Sequence, residues 1–198
     1  MKPSKVILAS TSVARRRILE NCGLTLTAVA PKIAESELQH RLSELAPEAL
    51  ALALARSKAQ DVSLCHPDAL IIAADQTLSC QGVIYHKAKD LHEAQSNLLK
   101  LRGKSHELYS AVVCARAGRV VFEHVDHARL LMRYFSDDFL ASHLAHAPEQ
   151  ALNAVGGYYY EASGIQFFEE VSGDYFTIQG LPLLPLLAFL RQSDILVS

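Results

Sequence analysis

The chain has 198 residues, half of them hydrophobic, and a formal net charge of -2. This length supports one sizeable core, and the lack of a basic excess argues against a protein that binds a long nucleic-acid backbone. The four cysteines stand alone, with no C-x-x-C pair, so we expect free thiols rather than a zinc site or a disulfide framework.

The first half of the chain is predicted to alternate strands and helices. A short apolar run leads through the hydroxyl-rich Ser10–Ser12 into a helix that Gly23 ends. The apolar run before Asp75 is continuous, which is typical of a strand buried on both faces. The predicted elements are, in chain order, strand Val6–Ala9, helix Val13–Cys22, strand Leu24–Ala30, helix Ser43–Ser63, strand Leu70–Ala74, a turn at Gly82 and helix Leu91–Leu101.

The second half is predicted to begin with a β-hairpin whose strands are joined through Arg116–Arg119. The predicted elements are strands Glu107–Ala115 and Val120–Met132, helix Ser136–His146, strand Ile165–Val171 and helix Pro182–Arg191. Strands and helices are mixed along the chain without strict alternation, which indicates an α/β or α+β fold. No repeat or linker divides the sequence, so we expect one domain that covers residues 1–198. The sequence leaves open whether the last helix packs in the core or at a homodimer interface.

No segment predicts export or membrane insertion. Val6–Ala9 is shorter than the apolar core of a signal peptide, and Ala46–Ala55 and Leu181–Leu190 are too short to cross a bilayer. We therefore expect a cytoplasmic protein that binds neither a membrane nor nucleic acid.

Ser10–Ser12 and the three arginines Arg15–Arg17 form a candidate anion site. Cations in the first turns of a helix oppose its dipole, which costs stability unless an anion binds there. A strand, a hydroxyl-rich turn and a helix start form the usual geometry for phosphate binding, and a guanidinium matches phosphate oxygens. The alternative is a solvated basic face with Ser12 as an ordinary N-cap.

Asp75 is the candidate catalytic residue. It follows a buried strand, and open α/β sheets bind their ligands at the carboxyl ends of such strands. A carboxylate in that place can act as a general base or a metal ligand. The alternative is a helix cap or a turn-forming Asp. Gln76, next to it, is a polar side chain that could read the edge of a base.

Glu35, Lys58 and Lys87 are scattered candidates for the same chemistry. Cleavage of a triphosphate needs carboxylates that hold divalent cations and basic side chains that neutralise phosphate charge. Spacing alone selects none of the three, and a single lysine on an Ala/Leu-rich helix is commonly a surface residue.

The segment Val155–Gly164 places glycines around three tyrosines and Glu161. A ring for stacking and a carboxylate for base N–H groups suit a base-binding rim. The alternative is a β-turn flanked by core tyrosines.

Taken in order, these segments resemble the Maf-like family of nucleoside triphosphate pyrophosphatases, from about Val6 to Arg191. The opening motif L-A-S-x-S-P-x-R-R corresponds to Leu8–Arg16, with Val13 in place of its proline. Ala88 replaces a second motif proline. The other matching positions are Glu35, Lys58-Ala59, Ala73–Gln76, Lys87-Ala88, Gly156–Gly164, Gly173–Tyr175 and Gly180–Leu183.

The resemblance implies an elongated, two-lobed, inosine-triphosphatase-like α/β fold around a curved mixed sheet, with the active-site cleft between the lobes. It implies hydrolysis of a nucleoside triphosphate to the monophosphate and pyrophosphate, with Asp75 as the proton acceptor that activates water. Glu35 and Asp75 would hold a divalent cation such as Mg²⁺ or Mn²⁺. The residues implied to bind the substrate are Ser10, Ser12, Arg15, Arg16, Lys58 and Lys87.

Branches of this family differ at the positions of Ala14, Gln76 and Glu161. Gln76 and Glu161 resemble the branch that acts on 7-methyl-GTP, and a carboxylate can accept the guanine N1–H and N2–H₂ bonds. That branch tends to carry a large aromatic residue where Ala14 stands, so the preferred base stays open.

A non-catalytic, nucleotide-binding regulator of septum formation is the alternative function, because the family has been associated with that process. The joint presence of Glu35, Lys58, Asp75 and Lys87 favours the enzyme. A nucleic-acid-binding module is a third alternative, which the acidic charge balance disfavours.

Overall fold

The computed structural model describes residues 5–197. Within this range the chain forms eight helices and seven strands, and the strands make one mixed sheet in the order β2-β1-β3-β5-β6-β7, with β4 paired to β3. The strands are β1 (Lys5–Leu8), β2 (Leu26–Ala28), β3 (Ala69–Cys80), β4 (Val83–Tyr85), β5 (Ser105–Arg116), β6 (Arg119–Met132) and β7 (Phe168–Ser172). The helices are α1 (Val13–Asn21), α2 (Glu35–Arg41), α3 (Pro47–Cys65), α4 (Leu91–Leu101), α5 (Asp137–His146), α6 (Pro148–Asn153), α7 (Tyr175–Ile178) and α8 (Leu183–Gln192). The α/β class is confirmed.

The chain divides into two compact units. The first comprises the described residues of Met1–Asp75, Ser110–Asp126 and Gly180–Ser198, and the second comprises Gln76–Tyr109 and His127–Gln179. That residues 1–198 form a single domain stays a prediction, and residues 1–4 and 198 lie outside the described range. Nowhere in residues 5–197 is a helix both long and apolar enough to cross a membrane.

The first unit is built on parallel pairing of β1 with β2 and with the first part of β3. Residues Val6–Leu8 and Leu70–Ile72 face each other in register and are all buried. Strands buried on both faces carry continuous apolar runs, which is what these two segments show in sequence. The β5–β6 hairpin turns at Ala117 and Gly118, both of which have positive φ.

The second unit contains the end of β3, which turns directly into β4. Gln81 and Gly82 have φ of 52° and 80°, and two such residues form the turn that joins strands by the shortest hairpin loop. An aromatic and aliphatic core fills this unit. Its largest members include Leu98, Met132, Phe135, Tyr158 and Phe167.

Several predicted boundaries are wrong for identifiable reasons. Helix α3 begins at Pro47 instead of Ser43, because the residue before a proline avoids helical backbone, and Ala46 has ψ of 149°. The predicted strand Ile165–Val171 is half wrong. Ser163–Phe167 forms a turn of 3₁₀ helix, and β7 begins only at Phe168.

Four short elements, α2, β4, α6 and α7, are not predicted from the sequence. Helix α2 carries a sequence signal that would have identified it. Its first turn contains Glu35 and Glu37, and its last turn contains His40 and Arg41, so its charges complement the helix dipole at both ends.

Candidate active site

Lys58 lies on the buried face of α3, although a surface position was the simpler expectation. The buried residues Leu50, Leu54 and Val62 precede and follow it at intervals of four, and only 8% of Lys58 is exposed. Residues four apart share one face of a helix. The register of this helix was therefore the signal that Lys58 points inward.

The ammonium group of Lys58 brings two carboxylates together. It donates a hydrogen bond to Asp75 Oδ1, and it lies 2.8 Å from Glu35 Oε2. Asp75 is 5% exposed, whereas the side chain of Glu35 is 43% exposed. The three residues come from β3, α2 and α3, and all belong to the first unit.

Asp75 lies inside β3, and the prediction that it directly follows the strand is wrong. The strand runs to Cys80 because Leu78–Cys80 pairs with β4. The parallel pairing of β3 with β1 ends earlier, however, at Leu8 and Ile72. Asp75 thus lies beyond the carboxyl end of the parallel ladder, which is where open α/β sheets bind ligands.

Burial raises the pKa of the Asp75 carboxyl above its ordinary value. The positive charges of Lys58 and Arg15 act in the opposite direction, and the negative charge of Glu35 adds to the increase. A carboxylate whose pKa is raised is a stronger base than one fully exposed to water.

The hydroxyl-rich turn before α1 is ordered by its own side chains. Ser10 Oγ accepts a hydrogen bond from the Ser12 backbone N–H at 3.1 Å. Ser12 is the N-cap, and its Oγ accepts from the Arg15 backbone N–H at 3.3 Å. The first turn of α1 contains no acidic residue, so nothing on the helix itself offsets its positive end.

Arg15 and Arg16 have different surroundings. Arg15 is half-buried as a residue, and its guanidinium donates to two main-chain carbonyl oxygens, those of Ala74 at 2.7 Å and Gly180 at 2.9 Å. Burial lowers the pKa of Arg15, and the charges of Asp75 and Glu35 oppose that decrease. Arg16 is exposed and forms an ion pair with Glu20 at 2.7 Å.

The structure thus brings Arg15, Glu35, Lys58 and Asp75 together but leaves Arg16 on the outer face of α1. The i, i+4 spacing of Arg16 and Glu20 was a visible signal for their ion pair. The contact between Arg15 and Gly180 joins positions 165 residues apart, and no local pattern announces it.

The specificity candidates have separate environments. Ala14 is half-buried on α1, in the first unit. Gln76 belongs to the second unit, where its Nε2 donates to the carbonyl oxygens of Thr177 at 3.2 Å and Ile178 at 3.0 Å. Lys87 and Glu161 are exposed residues of that same unit.

The segment Val155–Gly164 divides between the two interpretations that its sequence allowed. Tyr158 is 6% exposed and belongs to the core of the second unit, as the core-tyrosine interpretation predicts. Tyr159 and Tyr160 are half-buried. Tyr160 has ring contacts with Phe168 and Tyr175. Tyr159 and Tyr160 are thus the tyrosines of this segment that keep part of their surface exposed.

The carboxylates of Glu35 and Asp75 form a donor set that suits a hard divalent cation. Mg²⁺ prefers oxygen ligands and is commonly held by one or two carboxylates, with water and substrate phosphates completing its shell. Among residues 5–197, no group of three or more His, Cys, Asp and Glu side chains is arranged to hold a metal. A two-carboxylate site that shares its ion with a phosphate is the arrangement these residues fit.

Comparison with known proteins finds relatives that match this chain over nearly the whole length of both sequences. The chain is 46% identical to a 7-methyl-GTP pyrophosphatase of Rhizobium etli, over 95% of this chain and 96% of the relative. It is 48% identical to a 7-methyl-GTP pyrophosphatase of Rhizobium meliloti, over 97% of each. A nucleoside triphosphate pyrophosphatase of Granulibacter bethesdensis is 43% identical, over 97% of this chain and 98% of the relative.

The family model described as Maf-like protein matches residues 5–193. That range includes every residue of the cluster around Lys58 and the whole described sheet. The chain therefore belongs to the Maf-like protein family.

Proposed function

We propose that this chain hydrolyses a nucleoside triphosphate to the monophosphate and pyrophosphate. The observation that carries the proposal is the buried Lys58–Asp75 pair with Glu35 on the same ammonium group. The relatives named as pyrophosphatases support it, because the similarity extends over almost the full length of both chains. A cytoplasmic location, with access to the nucleotide pool, is part of the proposal.

In this reaction Asp75 accepts a proton from a water molecule as the water oxygen attacks the α-phosphorus. The bond from that phosphorus to the oxygen that bridges to the β-phosphorus breaks, and pyrophosphate leaves with the electron pair. The raised pKa of Asp75 suits it to take the proton. Lys58 holds the carboxylate in place and supplies positive charge beside the phosphates.

Glu35 and Asp75 are the residues that we propose hold Mg²⁺ or Mn²⁺. When bound, such an ion neutralises charge on the phosphate oxygens. Ser10 and Ser12 precede the positive end of α1, where phosphate oxygens are favoured. Lys87 and Arg16 are further phosphate ligands in this proposal. Both are exposed, and Arg16 would have to leave its ion pair with Glu20 to bind a phosphate.

7-Methyl-GTP is the substrate we propose in particular. Glu161 is exposed and can accept base N–H groups, and its negative charge favours a cationic methylated base. The Glu161→Gln variant should lower kcat/KM for 7-methyl-GTP more than for GTP. Glu149→Gln is the matched control, because both acids influence Tyr159 electrostatically and Glu149 lies outside the family motif. Equal losses for both nucleotides would assign Glu161 no role in base choice.

A turnover screen over standard and methylated triphosphates, with Mg²⁺ and with Mn²⁺, tests the function itself. The expected products are a monophosphate and pyrophosphate in equal amounts. Release of orthophosphate would contradict cleavage between the α and β phosphates. Tight nucleotide binding without turnover across the panel would favour the non-catalytic regulator instead. Light scattering on the same sample distinguishes a monomer from the homodimer that an apolar α8 allows.

A further inference from the structure

The guanidinium of Arg15 spans two main-chain carbonyl groups that are far apart in sequence. Its Nε donates to Gly180 O and its Nη1 donates to Ala74 O, at 2.9 and 2.7 Å. Ala74 is the residue directly before Asp75, and it is completely buried. The planar fork of an arginine fixes both acceptors at once, which a flexible ammonium group does not do.

Gly180 is shaped to receive this guanidinium. Its φ is +84°, and a Cβ added there would lie 2.8 Å from Arg15 Nη2 and 3.4 Å from Nε. Any larger residue would have to push the guanidinium away. Gly23 has nearly the same φ, +82°, but a Cβ added to it would meet no atom within 4 Å. Gly180 therefore provides room, in addition to the conformational freedom that the two glycines share.

We propose that Arg15 is a positioning residue, which holds the main chain at Ala74 and so places Asp75. In the same proposal, the missing side chain of Gly180 leaves the space that the Arg15 guanidinium occupies. The resemblance to the family implied a different role, direct binding of the triphosphate. The hydrogen bonds argue for positioning, because swinging Arg15 towards a phosphate would leave the buried carbonyl of Ala74 without this donor. This inference rests on the proposed function, since the group being placed is the water-activating carboxylate.

Four variants separate positioning from phosphate binding. Gly180→Ala displaces the guanidinium and leaves every charged side chain in the sequence. Gly23→Ala is its matched control, with the same backbone strain and no contact. Arg15→Gln removes the guanidinium, and Arg15→Lys retains the charge without the fork. For each variant we would measure kcat and KM with 7-methyl-GTP and GTP, the affinity for inorganic tripolyphosphate by calorimetry at fixed Mg²⁺, and Tm.

We expect Gly180→Ala and Arg15→Gln to lower kcat by about 10- to 100-fold, which is the range expected when a reacting group is misplaced. KM and the affinity for tripolyphosphate should be unchanged in both. Arg15→Lys should stay as slow as Arg15→Gln, because one ammonium group cannot span both carbonyls. Gly23→Ala should keep the wild-type kcat, with a smaller Tm decrease than Gly180→Ala, because it has the same backbone strain without the clash.

Weakened tripolyphosphate binding in Arg15→Gln, or full activity in Arg15→Lys, would overturn the inference and assign Arg15 to the phosphates. Unchanged kcat in Gly180→Ala would show that Gly180 has no role in placing Arg15. A wild-type chain without turnover would instead contradict the proposed function. The tripolyphosphate measurement would then decide alone, because lost binding in Arg15→Gln contradicts a positioning role and retained binding supports it.

Discussion

Lys58 donates a hydrogen bond to Asp75 within the first unit, and both side chains are almost completely buried. A buried ion pair is a poor source of stability, because removing two charges from water costs about as much free energy as their attraction returns. Such a pair is better explained by chemistry. It keeps a carboxylate of raised pKa in one place beside a positive charge.

Replacing Lys58 by Met should destabilise the protein. Asp75 would remain buried without its main cationic partner, and the free energy of unfolding at pH 7 should fall by about 3–5 kcal/mol. The free energy of unfolding of the double variant Lys58→Met/Asp75→Asn should fall by clearly less than that of Lys58→Met, because no buried charge is left without a partner. Urea unfolding of the wild type, the two single variants and the double variant gives the coupling. Strictly additive losses would mean that the pair does not interact in solution.

The metal requirement should depend on Glu35. Chelation with EDTA should abolish turnover, and added Mg²⁺ or Mn²⁺ should restore it. Glu35→Gln removes one of two carboxylate ligands, so the Mg²⁺ concentration for half-maximal activity should rise about 10-fold or more. Glu37→Gln, on the same helix, is the control and should behave as wild type. The same Mg²⁺ dependence in both variants would exclude Glu35 as a ligand.

His106 should make the stability of the second unit sensitive to acid. Burial lowers its pKa from 6.5 to about 4. Its Nε2 is 2.7 Å from the Tyr158 hydroxyl, and its Nδ1 has no hydrogen-bond partner within residues 5–197. The unfolded chain binds a proton at His106 more tightly than the folded chain does. The stability that depends on a neutral His106 is therefore complete above pH 6.5 and is lost as the pH falls towards 4. The loss is about 3 kcal/mol over that interval.

Urea unfolding at several pH values checks this prediction. In the double variant His106→Leu/Tyr158→Phe both polar partners are removed together, and the stability should decrease less between pH 7 and pH 4. His86→Gln, at an exposed histidine, should retain the wild-type pH dependence. An identical pH dependence in the wild type and the double variant would contradict the assignment to His106.

Gly156 should contribute to stability because the packing around Tyr158 leaves no room for a side chain there. A Cβ added there would lie 2.3 Å from Tyr158 Cε1 and 3.0 Å from Leu78 Cδ1. Overpacking of this kind should lower the free energy of unfolding of Gly156→Ala by about 3 kcal/mol. Gly82→Ala, where the new Cβ meets nothing within 4 Å, should cost only about 1 kcal/mol for its left-handed backbone. Equal Tm values for the two variants would contradict the tight packing around Tyr158.

Much of the fold could be predicted from the sequence where one physical signal dominates. The helix Leu91–Leu101 matches its prediction at both ends, because Asp90 caps it and Gly103 follows it. The signal failed where tertiary pairing decides. Nothing local shows that β3 continues past Asp75 to Cys80, since that depends on the pairing with β4.

The candidate site was predictable as a set of residues but not as a geometry. The resemblance to the family selected Glu35, Lys58 and Asp75. The spacing of apolar residues along α3 is by itself enough to predict that Lys58 faces the core. The partners of Arg15 are main-chain carbonyls, and main-chain groups leave no signature in side-chain patterns. Gly180 can be recognised from the sequence only as part of a family motif, and the sequence gives no physical reason for a glycine at that position.

Release of pyrophosphate by the Asp75→Asn variant tests most directly whether Asp75 activates the attacking water. Asn keeps the size of the side chain but cannot accept the proton from water. We predict that the wild type releases pyrophosphate and monophosphate in equal amounts from 7-methyl-GTP or another triphosphate. The variant should release almost none while its circular dichroism and cooperative unfolding stay intact. Wild-type rates of pyrophosphate release from a folded Asp75→Asn protein would contradict the assignment of Asp75 as the group that activates water.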